Sequence, residues 1–188
     1  MTVFRELSNH VLDIAENGVN AGATLLTVEI GEDHAADRVW ISIADNGRGM
    51  TPDMVRQVTD PWVTTRTTRK VGLGIPFFKQ TAEVCGGDFA ITSKLGEGTV
   101  TRASFQLSHL DRPPLGDLTA TVLSLAVGYP GVDLFYHHQV DEQLFDFDTR
   151  AIREVLGAEV PFSDPEVLAF LRQMLEDGLN SLGSEAAS

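Results

Sequence analysis

The chain of 188 residues contains a single cysteine, Cys85, so an internal disulfide is excluded. Its place in an apolar-rich helical stretch reads as a small buried hydrophobe rather than a nucleophile. No apolar run approaches the length that a bilayer crossing needs, and the N-terminus lacks a basic region followed by an apolar core. A cytoplasmic protein without membrane contact is therefore expected. Cations are scarce: 14 Lys and Arg stand against 27 Asp and Glu, a formal net charge of −13, which argues against nucleic acid or an anionic membrane as the main partner. The sequence has no internal repeat, no convincing transition-metal spacing among its five histidines, no Walker sequence and no full dinucleotide fingerprint. Its 43% hydrophobic content leaves room for one domain of ordinary size with an elaboration.

The charge that is present is unevenly spread. Residues 1–108 carry 10 basic and 13 acidic side chains, whereas 109–188 carry 4 and 14. Within 48–79 the balance reverses, with Arg48, Arg56, Arg66, Arg69, Lys70 and Lys79 against Asp53 and Asp60. A small polyanion is a plausible reason for that concentration of positive charge.

Hydrophobic periodicity predicts a helix over the first 20 residues, with Leu7, Val11, Ile14 and Gly18 on one face. Glu6, His10, Asp13 and Asn17 follow the same spacing, so four polar side chains line one edge, either a solvated face or a functional one. Strands are expected at 25–30, 38–44, 88–93 and 99–107, with helices at 52–58 and 75–85. Between those helices, 59–71 reads as a long Thr- and Arg-rich loop of the kind that usually carries function. This order implies helices layered on one face of a largely antiparallel sheet, a two-layer α/β (α+β) sandwich. After a linker near 109–116 we expect a helix at 117–127, a hairpin over 132–148 turning at Asp141 and Glu142, and helices at 149–156 and 165–182. Asp164 and Pro165 supply the cap and first turn of the last helix. The chain thus divides into 1–108 and an acidic, partner-binding α/β extension, 109–188.

Three segments carry chemistry. Asp45-Asn46-Gly47-Arg48-Gly49-Met50 follows the strand at 38–44; the acid is fixed by the strand, and two glycines leave room for a flat group such as adenine. The same residues also read as an ordinary hairpin turn. Gly72-Leu73-Gly74 feeds a helix whose first turn contains Pro76, and exposed amides at such a terminus bind phosphate. Arg66 and Lys70 lie in the loop before it. Together these make a nucleoside triphosphate the natural ligand, and with it Mg²⁺, for which the side-chain oxygen of Asn17 is a candidate ligand. Asp13, one turn earlier, either orients or deprotonates a nucleophile or pairs with His10 or Arg5 as surface electrostatics.

The order of Asp13-Ile-Ala-Glu-Asn17, Ala21-Gly-Ala-Thr24, Asp45 to Met50, Gly72-Leu-Gly74 and Gly96-Glu-Gly-Thr99 resembles the gyrase, heat-shock chaperone, histidine kinase and MutL superfamily of ATP-binding domains, over about residues 4–107. The resemblance implies a Bergerat-type fold with a mixed, mostly antiparallel sheet, and ATP and Mg²⁺ as cofactors. Position by position it implies Asn17 on Mg²⁺, Asp45 receiving the adenine amino group, and Gly47, Gly49 and Met50 lining the base. Gly72, Leu73 and Gly74 would hold phosphate, Thr99 would reach the adenine side through water, and 59–71 would form a lid. Asp13 stands where gyrase-like and MutL-like members place a catalytic glutamate. Histidine kinases carry a dimerisation hairpin with the phosphoacceptor histidine ahead of this domain, and here the nucleotide helix begins almost at Met1. The tail resembles the extension on small stand-alone ATP-binding proteins that accompany iron-hydrogenase subunits. A stand-alone protein kinase acting on a partner protein is therefore expected, with an ATP-dependent conformational switch as the alternative and a homodimer as one possible assembly.

Overall fold

In the computed structural model the described residues are 6–59, 74–157 and 159–184. The elements, in chain order, are α1 (Leu7–Asn20), β1 (Leu25–Asp33), β2 (Arg38–Asp45), α2 (Pro52–Val58), α3 (Gly74–Val84), β3 (Phe89–Lys94), β4 (Gly98–Gln106), α4 (Leu118–Gly128), β5 (Asp133–Val140), β6 (Gln143–Asp148), α5 (Thr149–Leu156) and α6 (Pro165–Leu182). Each lies within two or three residues of its expected bounds, except that α1 begins at Leu7.

The sheet has the order β3-β4-β2-β1-β5-β6, and every adjacent pair is antiparallel except β1 and β5. Period-two alternation sends Val28, Ile30, Ile41, Ile43, Phe105, Leu134 and Tyr136 to one face. There they form a single core with Leu7, Val11 and Ile14 of α1, Phe78 of α3, Val122 and Leu125 of α4, and Leu171, Leu175 and Leu179 of α6. Cys85 is buried in the same core. The sheet and the core therefore run across the boundary expected at 108/109, and residues after it widen the same sandwich.

Local signals explain the ends of the elements. Asp164 caps α6 by accepting from the backbone of Glu166 at 2.9 Å and of Val167 at 3.4 Å. α1 has no side-chain cap; its first amides, Leu7 and Ser8, donate to the carbonyls of Pro114 and Leu115 at 2.9 and 2.8 Å. The segment read as a linker thus satisfies orphan donors of the first helix, a long-range device that local sequence does not announce.

Candidate functional site

β2 delivers Asp45 to the end of the sheet, where Oδ1 accepts the Gly47 amide at 2.8 Å. Asn46 is turned the other way: its Oδ1 accepts from the amides of Thr24 and Leu25 at 2.8 and 2.9 Å, and its Nδ2 donates to Thr24 Oγ1 at 2.9 Å. The Arg48 amide donates to the Ala21 carbonyl at 3.0 Å. These bonds strap the turn to the end of α1 and the start of β1, so the acid faces a fixed wall rather than a free hairpin corner. Burial pushes the Asp45 carboxyl above its ordinary range, against hydrogen bonds from the backbone of Gly47 and Thr99.

Close approach explains the glycines. Gly49 has φ +64, and a Cβ there would collide with the carbonyl oxygen of Lys94. At Gly18 a Cβ would lie 2.7 Å from the Cβ of Asp45, so α1 comes close enough to form the second wall only because that residue lacks a side chain. The periodicity that puts Gly18 in the buried stripe of α1 does not announce this contact. The signal available was the cost of about 1 kcal/mol that a mid-helix glycine carries relative to alanine. Ser93 was missed as well: its Oγ accepts the Met50 amide at 2.8 Å, meets Thr99 Oγ1 at 2.8 Å and donates to the Gly98 carbonyl at 2.9 Å, linking the two loops that flank Asp45.

Between these walls lies a cleft of about 670 Å³ lined by Asn17, Asp45, Gly49, Met50 and Thr99, five of the expected site residues. Ile14, Thr101 and Ile75 add apolar and polar lining that the sequence reading did not assign. Gly47 sits behind Asp45 as its hydrogen-bond donor. Arg66, Lys70, Gly72 and Leu73, and the loop expected as a lid beyond Thr59, lie outside the described residues. Gly74 opens α3, and Ile75 brings that helix to the cleft.

Asp13 is half-buried and is not among the cleft-lining residues. Its Oδ2 has no hydrogen-bond partner among the described residues, and a Cβ at Gly74 would collide with it. Burial, and secondarily the Glu16 carboxylate, push its carboxyl above the ordinary range. His10, one turn earlier, is 1% exposed and packs against the Phe78 ring at 5.1 Å. Burial lowers its pKa to about 4, opposed by a hydrogen bond to the Gly74 backbone, so the imidazole is neutral at physiological pH. The polar edge of α1 is therefore buried at His10 and exposed at Asn17.

The cleft has the size and the few convergent polar groups of a nucleotide pocket. Among the described residues no helix is long and apolar enough to cross a membrane. The solved structure of the Aquifex aeolicus MutL ATPase domain complexed with ADP is similar at a TM-score of 0.52 and 16% identity, covering 82% of this chain and 70% of that one. Sporulation kinase E of Bacillus subtilis is 31% identical over 98 residues, 52% of this chain and 12% of the relative. The sensor histidine kinase ZraS of Salmonella typhimurium is 28% identical over 95 residues, 50% of this chain and 20% of the relative. The chain spans less than a quarter of the length of the curated relatives it matches. A family model described as histidine kinase-, DNA gyrase B- and HSP90-like ATPase matches residues 1–109, more than half of the chain. The chain belongs to that family, and its first 109 residues are an ATP-binding domain related to those of histidine kinases.

Proposed function

We propose that the cleft binds ATP together with Mg²⁺ and that the chain transfers the γ-phosphoryl group to a partner protein, as a stand-alone kinase in a regulatory role. The observation that carries the nucleotide part is the meeting of a half-buried, backbone-held Asp45 with Asn17, Gly49, Met50 and Thr99 in one cleft. In this reading Asp45 accepts a hydrogen bond from the adenine amino group, Gly47, Gly49 and Met50 line the base, and Thr99 reaches it through water. Asn17 offers its side-chain oxygen to Mg²⁺. No group of three or more His, Cys, Asp or Glu among the described residues could hold a metal by itself, so the ion would draw its other ligands from phosphate and water. Gly72 and Leu73, Gly74 at the start of α3, and Arg66 and Lys70 are assigned to phosphate on sequence grounds.

ATP supplies a transferable phosphoryl group, and the protein's part is positioning and proton handling. Asp13, with its carboxyl raised above the ordinary range by burial and one oxygen without a partner among the described residues, is assigned to take the proton of an acceptor hydroxyl. Sporulation kinase E and the sensor histidine kinase ZraS support phosphoryl transfer as the reaction. The acidic segment 109–188 is the proposed docking surface for the partner, and self-association through it into a homodimer is the alternative use. A cytoplasmic location goes with this reading.

A second reading, an ATP-dependent switch with little or no hydrolysis, is favoured by one observation: Asp13 Oδ2 is tucked against Gly74 rather than lining the cleft. Incubation with γ-labelled ATP, Mg²⁺ and an extract of the native host separates the two. A kinase labels a second protein, and Asp13→Asn abolishes the label. Calorimetric binding of ATP without any transfer supports the switch, and failure of the intact chain to bind ATP overturns both.

A further inference from the structure

The face of the sheet turned away from the helices carries a second feature, remote from the cleft. Cross-strand register puts Glu29 of β1 and Arg102 of β4 on either side of Ser42 of β2, and Ala90 of β3 beyond Arg102. In the next row Trp40 lies between Gly31 and Ser104. The indole occupies the space that a Cβ at Gly31 would need, so it lies down on the β1 backbone and forms a wall. The small side chains at Ser42 and Ala90 leave a hollow of about 410 Å³ between that wall, Glu29 and Arg102, with Asp88 also on its lining.

Two observations set this hollow apart from ordinary solvent-facing strand surface. Ser42 is 4% exposed although no helix covers this face, so the side chains around it enclose a floor. Glu29 and Arg102 form no ion pair and no side-chain hydrogen bond among the described residues. Other charges on the same face are matched: Arg38 Nη1 donates to Ser104 Oγ at 3.0 Å and lies 3.8 Å from Asp88, and His137 Nδ1 meets Asp146 Oδ1 at 2.6 Å. A carboxylate and a guanidinium thus face each other across one small residue and leave the gap between them open.

β1 and β4 both neighbour β2, so the backbones of Glu29 and Arg102 stand two strand spacings apart, about 9.6 Å, and both side chains rise from the same face. An α-amino acid spans roughly 3 Å from ammonium nitrogen to carboxylate oxygen, and with a hydrogen bond of about 2.8 Å at each end it needs charged groups about 9 Å apart, a separation that two long side chains set on that backbone spacing can adopt. Arginine suits a carboxylate by its planar fork, and an aromatic face accepts an apolar side chain.

We propose that this hollow binds a free α-amino acid with an apolar side chain, its carboxylate on Arg102, its ammonium on Glu29 and its side chain against Trp40. The test is calorimetric titration of the full chain with L-phenylalanine and L-leucine. The expected result is saturable, millimolar binding of at least one of them. N-acetyl-L-phenylalanine, which lacks the ammonium, and L-phenylalaninamide, which lacks the carboxylate, should each bind at least about tenfold more weakly than L-phenylalanine where that is the amino acid bound; where it is L-leucine, N-acetyl-L-leucine and L-leucinamide serve instead. Glu29→Gln and Arg102→Gln should each weaken the amino acid by a similar factor while leaving nucleotide binding unchanged, since neither residue touches the cleft. Absence of saturable binding for both amino acids overturns the proposal, as does equal binding of the blocked analogues or of the two variants. Nucleotide titration of the same samples is a separate measurement, so the fate of the ATP reading does not decide this one.

Discussion

Asp45 and Asp13 are both half-buried carboxyls raised above their ordinary range, yet their surroundings give them different work. Asp45 is held by the Gly47 amide through one oxygen and lines the cleft. Asp45→Asn preserves an acceptor for Gly47 but places an amide donor where an adenine amino group would donate. It should weaken ATP by about 2 kcal/mol, some thirtyfold, in a calorimetric titration while leaving the melting temperature near that of the parent. Normal ATP affinity in that variant would remove Asp45 from the site. Asp13 has the opposite profile, an oxygen without a partner among the described residues. Its carboxyl titrates higher in the folded chain than in the unfolded one, so the unfolded chain ionises first as pH rises. Ionisation therefore favours unfolding: the folded state is free of this cost below the ordinary carboxyl range and bears all of it at neutral pH. Asp13→Asn should accordingly be more stable than the parent at pH 7, by about 1 kcal/mol, with the gain disappearing in acid. Urea midpoints across pH measure it, and a variant that is less stable at pH 7 would show that Asp13 holds the fold together rather than being held at its expense. A residue that lowers stability where it stands is the kind retained for chemistry. The place of Asp45 at the cleft was legible because its chemistry is local, an acid closing a strand beside glycines, whereas the polar spacing along α1 gave Asp13 only a face of the helix. The relation of Asp13 to Gly74 was not legible, because it depends on where α3 docks.

Strands and helices were readable to within two or three residues wherever a turn residue with special backbone demands marked the boundary. Asp141, at φ +51, ends β5, and Gly96, at φ +83, separates β3 from β4. What pins an element in place is less local. Strand alternation sends His138 to the opposite face from His137, into a buried cluster that no local signal announces. His138 Nε2 meets Glu32 Oε1 at 2.8 Å, Tyr136 Oη meets His138 Nδ1 at 2.6 Å, and Ser184 Oγ donates to Glu32 Oε1 at 2.6 Å. Glu32 is on β1, Tyr136 and His138 on β5, and Ser184 follows α6 just past a left-handed Gly183, so three separate elements close on one polar knot. All four side chains are less than 5% exposed, a setting in which a lost partner is costly. Ser184→Ala should destabilise the fold by about 2 kcal/mol in urea and lower hydrogen-exchange protection in the last turn of α6 before other elements. An unchanged urea midpoint would show that the packing of Leu171, Leu175 and Leu179 holds α6 without the knot.

The least legible feature of the molecule is the one that makes it a single unit. The hairpin at 132–148 could be seen in the sequence, but not that its first strand lies parallel to β1, because a parallel partner is chosen by topology across more than 100 residues and leaves no turn signal. The consequence is that 1–108 and 109–188, separable by composition, share hydrogen bonds and apolar surface. β1 would become an exposed edge without β5, and α1, which carries Asp13 and Asn17, would lose both α4 and the carbonyls of Pro114 and Leu115 that cap it. Tyr129, at the end of α4, also donates to Glu16 Oε1 at 2.9 Å, on the turn of α1 between Asp13 and Asn17. A chain cut after residue 108 should therefore fail to hold a native core, even though the family resemblance ends near that point. Expressed alone it should aggregate or show weak amide protection in β1 and α1, and should bind ATP at least about tenfold more weakly than the full chain. If the fragment instead melts cooperatively and binds ATP with full affinity, the added strands and helices are a detachable module and their contacts to α1 are incidental. The first outcome would give a partner docked on the acidic segment, as proposed, a route to the cleft through the sheet and helix that the two segments share.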